Sequence, residues 1–407
     1  MQETPKGSRL HIAIFGRRNA GKSSLINALT KQEVALVSDV PGTTTDPVAK
    51  AMEIPPIGPV VIIDTAGVDD VGQLGEMRVQ RTKDVLSKAD IAVLVIDATA
   101  ELSQFELDFV TGIKDRDIPV IGVMNKSDMV IQPESSIPAY EEKTGLKFVI
   151  VSALTGQGIE ELKSCIIEKA PSDWEGPPII GDLIDKGDTV ILVVPIDSAA
   201  PRGRLILPQV QTLRDIIDND ACGLIVKENQ LAGSLALLRT PPKLVVTDSQ
   251  IFKQVDQATP NDVALTSFSV LFARHKGDLA TFAAGAKAIQ ALKPGDKVLI
   301  AEACTHHRQQ DDIGTVKIPR WLNQAVGGEL SYTWISGGQF PADLQQYKLV
   351  VHCGACMITR REMLNRLSVI RKSSVPIVNY GLLIAYLNGI LDRALAPFPE
   401  IKQIISQ

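Results

Sequence analysis

The chain lacks a basic excess. Its 407 residues carry 42 Lys and Arg against 47 Asp and Glu, a formal net charge of −5. A protein whose main task is gripping nucleic acid concentrates positive charge, and no RNA-binding module of the KH type is recognisable either. No nucleic-acid partner is expected. An apolar signal core is missing, because residues 1–7 are polar (MQETPKG). No apolar run has membrane-spanning length; the richest, 375–390, is interrupted by Pro, Asn, Gly and Tyr. No membrane association is expected. Cysteine is scarce, five in all, and three of them cluster, which suits a reduced cytoplasm rather than a disulfide framework.

What is present reads as globular. Hydrophobic residues make up 45% of the chain and charged residues 22%, the balance of domains with large cores. The length holds two to three domains at about 150 residues each. Chemistry concentrates in Cys304-Thr305-His306 and in His352-Cys353-Gly354-Ala355-Cys356. The apolar runs 297–303 and 347–351 before them read as buried parallel strands. Both groups therefore fall just past the carboxyl ends of strands, where open α/β sheets bind ligands. Thiolates are soft ligands for zinc or for an iron–sulfur cluster. The Cys353-x-x-Cys356 spacing brings two sulfurs from one turn to one centre, with Gly354 expected to ease the tight backbone. Taken alone, the dithiol reads first as a redox pair or a chance spacing; Cys304-x-His306 turns the balance to a metal site. The residue types leave zinc and iron–sulfur both open. His307 and His275 each read as surface or structural histidines.

Residues 9–170 carry an ordered set of short motifs. The apolar strand 9–15 runs into Gly16-Arg17-Arg18-Asn19-Ala20-Gly21-Lys22-Ser23 and an amphipathic helix. This is Gly-x4-Gly-Lys-Ser in its strand–loop–helix context. Its backbone N–H groups, from Asn19 through Ser24, wrap phosphate at a helix amino terminus. Lys22 reaches the β- and γ-phosphates and Ser23 ligates Mg²⁺. The strand 61–64 ends in Asp64-Thr65-Ala66-Gly67, with Asp64 holding Mg²⁺ through water and the Gly67 N–H sensing the γ-phosphate. Strand 120–124 leads into Asn125-Lys126-Ser127-Asp128. A carboxylate only accepts hydrogen bonds, so Asp128 matches the N1–H and N2–H donors of guanine and mismatches adenine. Strand 148–151 then delivers Ser152-Ala153-Leu154, whose N–H groups meet guanine O6. In this order the motifs resemble the GTPase superfamily.

The stretch Pro41-Gly42-Thr43-Thr44-Thr45-Asp46-Pro47 reads as the first switch, with Thr44 closing on Mg²⁺. It is similar to the switch of Era/TrmE-type GTPases, and so is Asn19, at the position where potassium-activated members carry asparagine; K⁺ is expected to stimulate. Val68 stands where Ras-like GTPases place a water-orienting glutamine, so another group must serve in catalysis. Glu76, before a helix expected over 77–87, is the candidate, against the plain alternative of a solvated carboxylate at a helix end. The catalytic set is Lys22, Thr44, Gly67 and Glu76.

Residues 171–178 break the periodicity as a linker. Strands near 189–195, 221–227 and 243–248 alternate with helices, and no catalytic constellation falls among them. Cys222 and Cys165 read as small core residues. A site-free unit of this size suits dimerisation. Beyond 266, alternating strands and helices mean a parallel sheet with covered faces.

A GTPase followed by Cys304-x-His306 and, after residues 307–351, by His352-Cys353-x-x-Cys356 resembles the HydF family of FeFe-hydrogenase maturation GTPases over the whole chain. The fold implied is α/β throughout: a P-loop GTPase domain (9–170), a small dimerisation domain (179–265) and a parallel-sheet iron–sulfur domain (266–407). The resemblance implies a 4Fe-4S cluster on Cys304, Cys353 and Cys356, with His352 or His306 as fourth ligand or as groups that hydrogen-bond the sulfurs or orient cargo. It also implies a homodimeric cytoplasmic scaffold that binds GTP/GDP and Mg²⁺. Such a scaffold accepts a diiron precursor from radical-SAM maturation enzymes and delivers it to apo FeFe-hydrogenase. The competing reading is a ribosome-assembly or tRNA-modification GTPase with a structural zinc site.

Overall fold

The computed structural model describes residues 4–31, 48–65, 82, 84–114, 118–196, 205–303, 312–337, 340, 341 and 343–406. Thr44, Gly67, Val68, Glu76, Cys304, His306 and His307 lie outside them, as does most of the helix expected over 77–87. The chain divides into two units, Met1–Glu175 and Gly176–Gln407.

The first unit is built on a six-stranded sheet in the order β2-β3-β1-β4-β5-β6. Its strands are β1 (Leu10–Phe15), β2 (Val48–Ile54), β3 (Gly58–Asp64), β4 (Ile91–Asp97), β5 (Val120–Asn125) and β6 (Phe148–Ile150). Every pairing is parallel except that of β2 with β3. Side chains alternate across a strand, and both faces of this sheet are covered. Leu10, Ile12 and Ile14 pack with Leu25 and Leu29 of the helix Lys22–Thr30 and with Leu162 and Ile166 of the helix Ile159–Lys169. On the other face Ala13 and Phe15 meet Phe109 and Ile113 of the helix Gln104–Lys114. Double coverage explains why β1 and β4 read as unbroken apolar runs. Cys165 is half-buried and packs against the first of these cores.

The second unit holds two four-stranded parallel sheets, β10-β9-β7-β8 and β12-β11-β13-β14. The first comprises β7 (Thr189–Val193), β8 (Cys222–Val226), β9 (Leu244–Thr247) and β10 (Ala264–Ser267). The second comprises β11 (Lys297–Glu302), β12 (Ser331–Ser336), β13 (Leu349–His352) and β14 (Ile377–Asn379). One continuous core joins them: Val190 and Val245 of the first sheet belong to the same buried cluster as Ile300 and Val350 of the second. The boundary expected between 265 and 266 lies within β10. Cys222 corrects its sequence reading. It is exposed rather than a core residue, because it opens the edge strand β8, where only Val226 is buried. Among the described residues no helix is long and apolar enough to cross a membrane.

Candidate functional site

The phosphate loop follows from two glycines. Gly16 and Gly21 take φ of 152° and 85°, and a Cβ would lie 2.3 Å from the Val95 carbonyl oxygen at Gly16 and 2.2 Å from Asn125 Nδ2 at Gly21. Only glycine tolerates both the backbone and the closeness. Gly21 stands at the amino end of the helix Lys22–Thr30, so the helix opens onto the loop with its first N–H groups free of intrahelical partners. The Lys22 ammonium is buried and donates to the carbonyls of Gly16 at 2.9 Å and Arg17 at 2.7 Å. Asn19 takes a left-handed φ of 63°.

Ser23 Oγ donates to Asp64 Oδ2 at 2.8 Å. The residues expected to share Mg²⁺ are therefore already in contact. Burial pushes the Asp64 carboxyl up, opposed by the Ser23 hydrogen bond and the charges of Lys22 and Lys50, and its Oδ1 is buried without a hydrogen-bond partner. A desolvated carboxylate with one free oxygen is a receptive place for a cation. This chemistry fits Mg²⁺ at Ser23 and Asp64.

The base side is assembled at the carboxyl ends of β5 and β6. Asn125 is buried; its Nδ2 donates to Ala20 O at 3.0 Å and its Oδ1 accepts from the Ala153 N–H at 3.0 Å. Lys126, at φ 64°, pairs with Asp97 at 2.6 Å. Burial works upward on Asp97, but the Lys126 and Thr99 hydrogen bonds prevail and hold its carboxyl low. Asp128 is exposed and accepts from Ser152 Oγ at 2.5 Å. Ser152 Oγ in turn accepts from the Thr155 N–H at 3.1 Å. Leu154 is exposed. Asn19, Ala20, Gly21, Lys22, Ser23, Ser24, Asp64, Asn125, Lys126, Asp128, Ser152 and Ala153 thus line one edge of the sheet. Sequence reasoning missed Asp97 and Lys50; the signal for Asp97 was an acid ending the apolar run of β4.

The cysteine centre sits at the corresponding edge of the third sheet. Ala303, just past β11, donates its N–H to Cys353 Sγ at 3.2 Å, so the backbone beside Cys304 lies against the Cys353 turn. Both Cys353 and Cys356 are half-buried. Burial pushes the Cys356 thiol up, opposed by backbone N–H groups and the charge of Lys276. The strained position of the turn is Ala355, at φ 54°, and Gly354 is not left-handed. That corrects the expectation placed on Gly354.

His352 is buried, and its partners fix its tautomer. Nδ1 lies 2.7 Å from the Cys353 carbonyl, which only accepts, so Nδ1 carries the proton. Arg366 Nε, which only donates, lies 2.9 Å from Nε2, so Nε2 carries the lone pair. Burial, and then the Arg366 charge, lower its pKa to about 3 against the Cys353 hydrogen bond. Held this way, His352 has no ring nitrogen left for a metal; it braces the turn. His275 is structural in the same sense, its Nδ1 donating to Pro177 O at 2.8 Å. Among the described residues no group of three or more His, Cys, Asp or Glu is gathered as a metal site.

Comparison with known proteins assigns the parts. Residues 11–126 match the 50S ribosome-binding GTPase model, 179–277 the hydrogen maturase F dimerization domain and 280–397 the hydrogen maturase F tetramerization domain. The tRNA modification GTPase MnmE of Aquifex aeolicus is 40% identical over 165 residues, which are 40% of this chain and 35% of that protein. GTPase Der of Mycoplasmopsis pulmonis is 37% identical over 169 residues, 39% of each. The chain thus spans little more than a third of the length of these curated relatives. Among solved structures, Era of Aquifex aeolicus aligns at 22% identity with a TM-score of 0.38, covering 53% of this chain and 93% of that one. The G domain of T. maritima FeoB aligns at 27% with a TM-score of 0.31, covering 40% and 99%. The first unit is a P-loop GTPase domain, and with both maturase models matched in order across the second unit, the chain belongs to the hydrogen maturase F family.

Proposed function

We propose that the protein is a GTP-hydrolysing scaffold of FeFe-hydrogenase maturation. It holds a 4Fe-4S cluster, accepts a diiron precursor and delivers it to apo-hydrogenase. The observation that carries the cluster reading is the Ala303 N–H on Cys353 Sγ at 3.2 Å, within the segment matched to the maturase tetramerization domain. That contact brings the neighbour of Cys304 to the Cys353–Cys356 turn. The donor set suits a cluster: soft sulfurs, a backbone N–H aimed at one of them, and the buried Arg366 Nη2, which has no partner.

Cys304, Cys353 and Cys356 hold the cluster, which supplies an iron site for the incoming diiron cargo. His352 orients the turn; His306 stays a candidate for the remaining position. In the GTPase domain Lys22 binds the β- and γ-phosphates, Ser23, Thr44 and (through water) Asp64 hold Mg²⁺, the Gly67 N–H senses the γ-phosphate, and Glu76 serves in place of the missing glutamine. K⁺ near Asn19 balances charge developing in the transition state. The proposed division is 9–170, 179–265 and 266–407, its last boundary falling within β10 and inside the segment 179–277 matched to the dimerization model. The protein works in the cytoplasm as a homodimer or larger assembly, with radical-SAM enzymes supplying cargo. The alternative, a ribosome-assembly or tRNA-modification GTPase with structural zinc, draws support only from relatives of the first unit.

Anaerobic purification followed by iron and sulfide analysis tests the cluster. Brown protein with both elements is expected, lost in Cys353→Ala and Cys304→Ala, whereas colourless zinc protein overturns it. Activation of apo-hydrogenase by the cargo-loaded protein tests delivery.

A further inference from the structure

The strand β2 alternates as a half-buried strand should, but one of its covered positions is charged. Ala49, Ala51 and Glu53 are exposed. Lys50 is 9% exposed, Ile54 is buried, and Met52 packs on the core that holds Leu25 and Leu29. Lys50 stands opposite Ile62 of β3, and Asp64, two residues on, shares that face. The helix Lys22–Thr30 lies along both charges. Ser23 Oγ donates to Asp64 Oδ2 at 2.8 Å, and Lys50 Nζ lies 3.5 Å from Asn27 Oδ1. Ser23 and Asn27 are successive positions on one helix face, with about 5–6 Å between Cβ atoms at that spacing. Asp64 and Lys50 are therefore neighbours on adjoining turns of one helix. Burial lowers the pKa of the Lys50 ammonium, and the Asp64 charge works against that.

Covering an apolar surface asks only for the lysine stem, and the ammonium can then reach for water. Here the ammonium reaches the helix face that carries Ser23 and its carboxylate partner. A fixed positive charge beside Asp64 stabilises the carboxylate when no metal is there and opposes a divalent cation when one arrives. Resting on the Mg²⁺ reading above, we propose that Lys50 is the resident counter-cation of the Mg²⁺ site, weakening Mg²⁺ beside the nucleotide and so hastening GDP release. Mg²⁺ bound to the phosphates helps to hold the nucleotide, and a site biased against the metal gives that hold up sooner. Asn27 steers the ammonium towards Asp64. Lys50 and Asn27 are positioning residues, since neither ligates the metal.

The test is the release rate of a fluorescent GDP analogue from the full chain across a series of free Mg²⁺ concentrations. The concentration that gives half the slowing is the midpoint. It should fall roughly fivefold or more in Lys50→Met, which keeps the stem and removes the charge. Lys50→Arg, which keeps the charge, should stay near the wild type. Tighter metal binding is the telling direction, because losing a merely structural residue would loosen the site. If Lys50→Met fails to fold, judged by its thermal melt, Lys50→Gln takes its place. A folded variant without the charge whose midpoint equals or exceeds that of the wild type overturns the counter-cation and leaves the Mg²⁺ reading standing. A wild type that releases GDP at one rate whatever the Mg²⁺ concentration removes the Mg²⁺ reading, and the role of Lys50 with it.

Discussion

Asn125 is tied to Ala20: its Nδ2 donates to the phosphate-loop carbonyl at 3.0 Å, while its Oδ1 takes the Ala153 N–H on the base side. One buried amide therefore couples the two halves of the nucleotide site. Asn125→Ala leaves a buried carbonyl and a backbone N–H without partners, each costing about 1–3 kcal/mol. Nucleotide affinity should fall by roughly tenfold to a hundredfold, for guanosine and xanthosine nucleotides alike. Titration with a fluorescent GDP analogue checks this; unchanged affinity would show that the bridge is not needed to hold the loops.

The base contact itself rests on Asp128. Its carboxylate is exposed and steadied by Ser152, so Asp128→Asn replaces an acceptor by a donor without disturbing the fold. The variant should prefer xanthosine to guanosine nucleotide. Lys22→Ala should abolish turnover, because the ammonium held by the loop carbonyls is the one poised for phosphate. Slow intrinsic hydrolysis is expected in the wild type, which has Val68 rather than glutamine after Gly67. Equal use of ATP and GTP by the wild type would defeat the guanine assignment.

Potassium should raise the hydrolysis rate over sodium at equal ionic strength. Asn19 offers a neutral oxygen from a left-handed position in the loop, where a monovalent cation can offset transition-state charge. Asn19→Ala should remove the difference between the two salts. If wild-type rates match in both, Asn19 does no more than shape the loop.

The nucleotide motifs were legible because each is local: a glycine loop, an acid at a strand end, an Asn-Lys-x-Asp turn. The β4 and β5 pairings that align those turns were not, so the Asn125 bridge and the Lys126–Asp97 pair emerged only from the fold. The cysteine spacing was equally plain, but its surroundings were hidden. Arg366 and Lys276 lie on helices with polar residues, where a charge reads as solvated. Cys222 beside Gly223 looked like core because nothing in a short apolar run says whether its strand is central or at an edge. The tight position fell on Ala355 rather than the neighbouring glycine, which spacing alone does not decide.

Acid should weaken the second unit through His275. Its pKa is lowered to about 4, first by burial and then by the charges of Lys276 and Arg360, against the Pro177 hydrogen bond. The unfolded chain takes up this proton near pH 6.5. The neutral histidine's contribution is therefore complete above that pH and is lost as pH falls from about 6.5 to 4. The full shift corresponds to roughly 3 kcal/mol at most. Urea unfolding from pH 7 to 4.5 checks it. His275→Gln should show a shallower loss than the wild type over that window, and parallel curves would assign the acid sensitivity to other groups.

If the protein holds the proposed 4Fe-4S cluster, the fourth iron should be exchangeable. In the cluster proposed above, three cysteines would leave one iron without a thiolate, and His352 could not supply the missing ligand while its Nδ1–H is given to Cys353 O and its Nε2 accepts from Arg366. Water, His306 or another weak ligand then completes the site, and such ligands leave a soft iron more readily than thiolate does. EPR of the reduced protein, with and without imidazole or cyanide, reads this directly in the wild type, His352→Ala and His306→Ala. The added ligand should alter the signal in the wild type and in His352→Ala alike. His306→Ala should already differ before any ligand is added if His306 occupies the position. His352→Ala should instead reveal itself as lost stability, about 1–3 kcal/mol for leaving the Arg366 Nε–H buried without its acceptor, measured by urea unfolding. A spectrum unmoved by either ligand in all three proteins would mean a closed fourth position, and a cluster that cannot bridge to incoming iron.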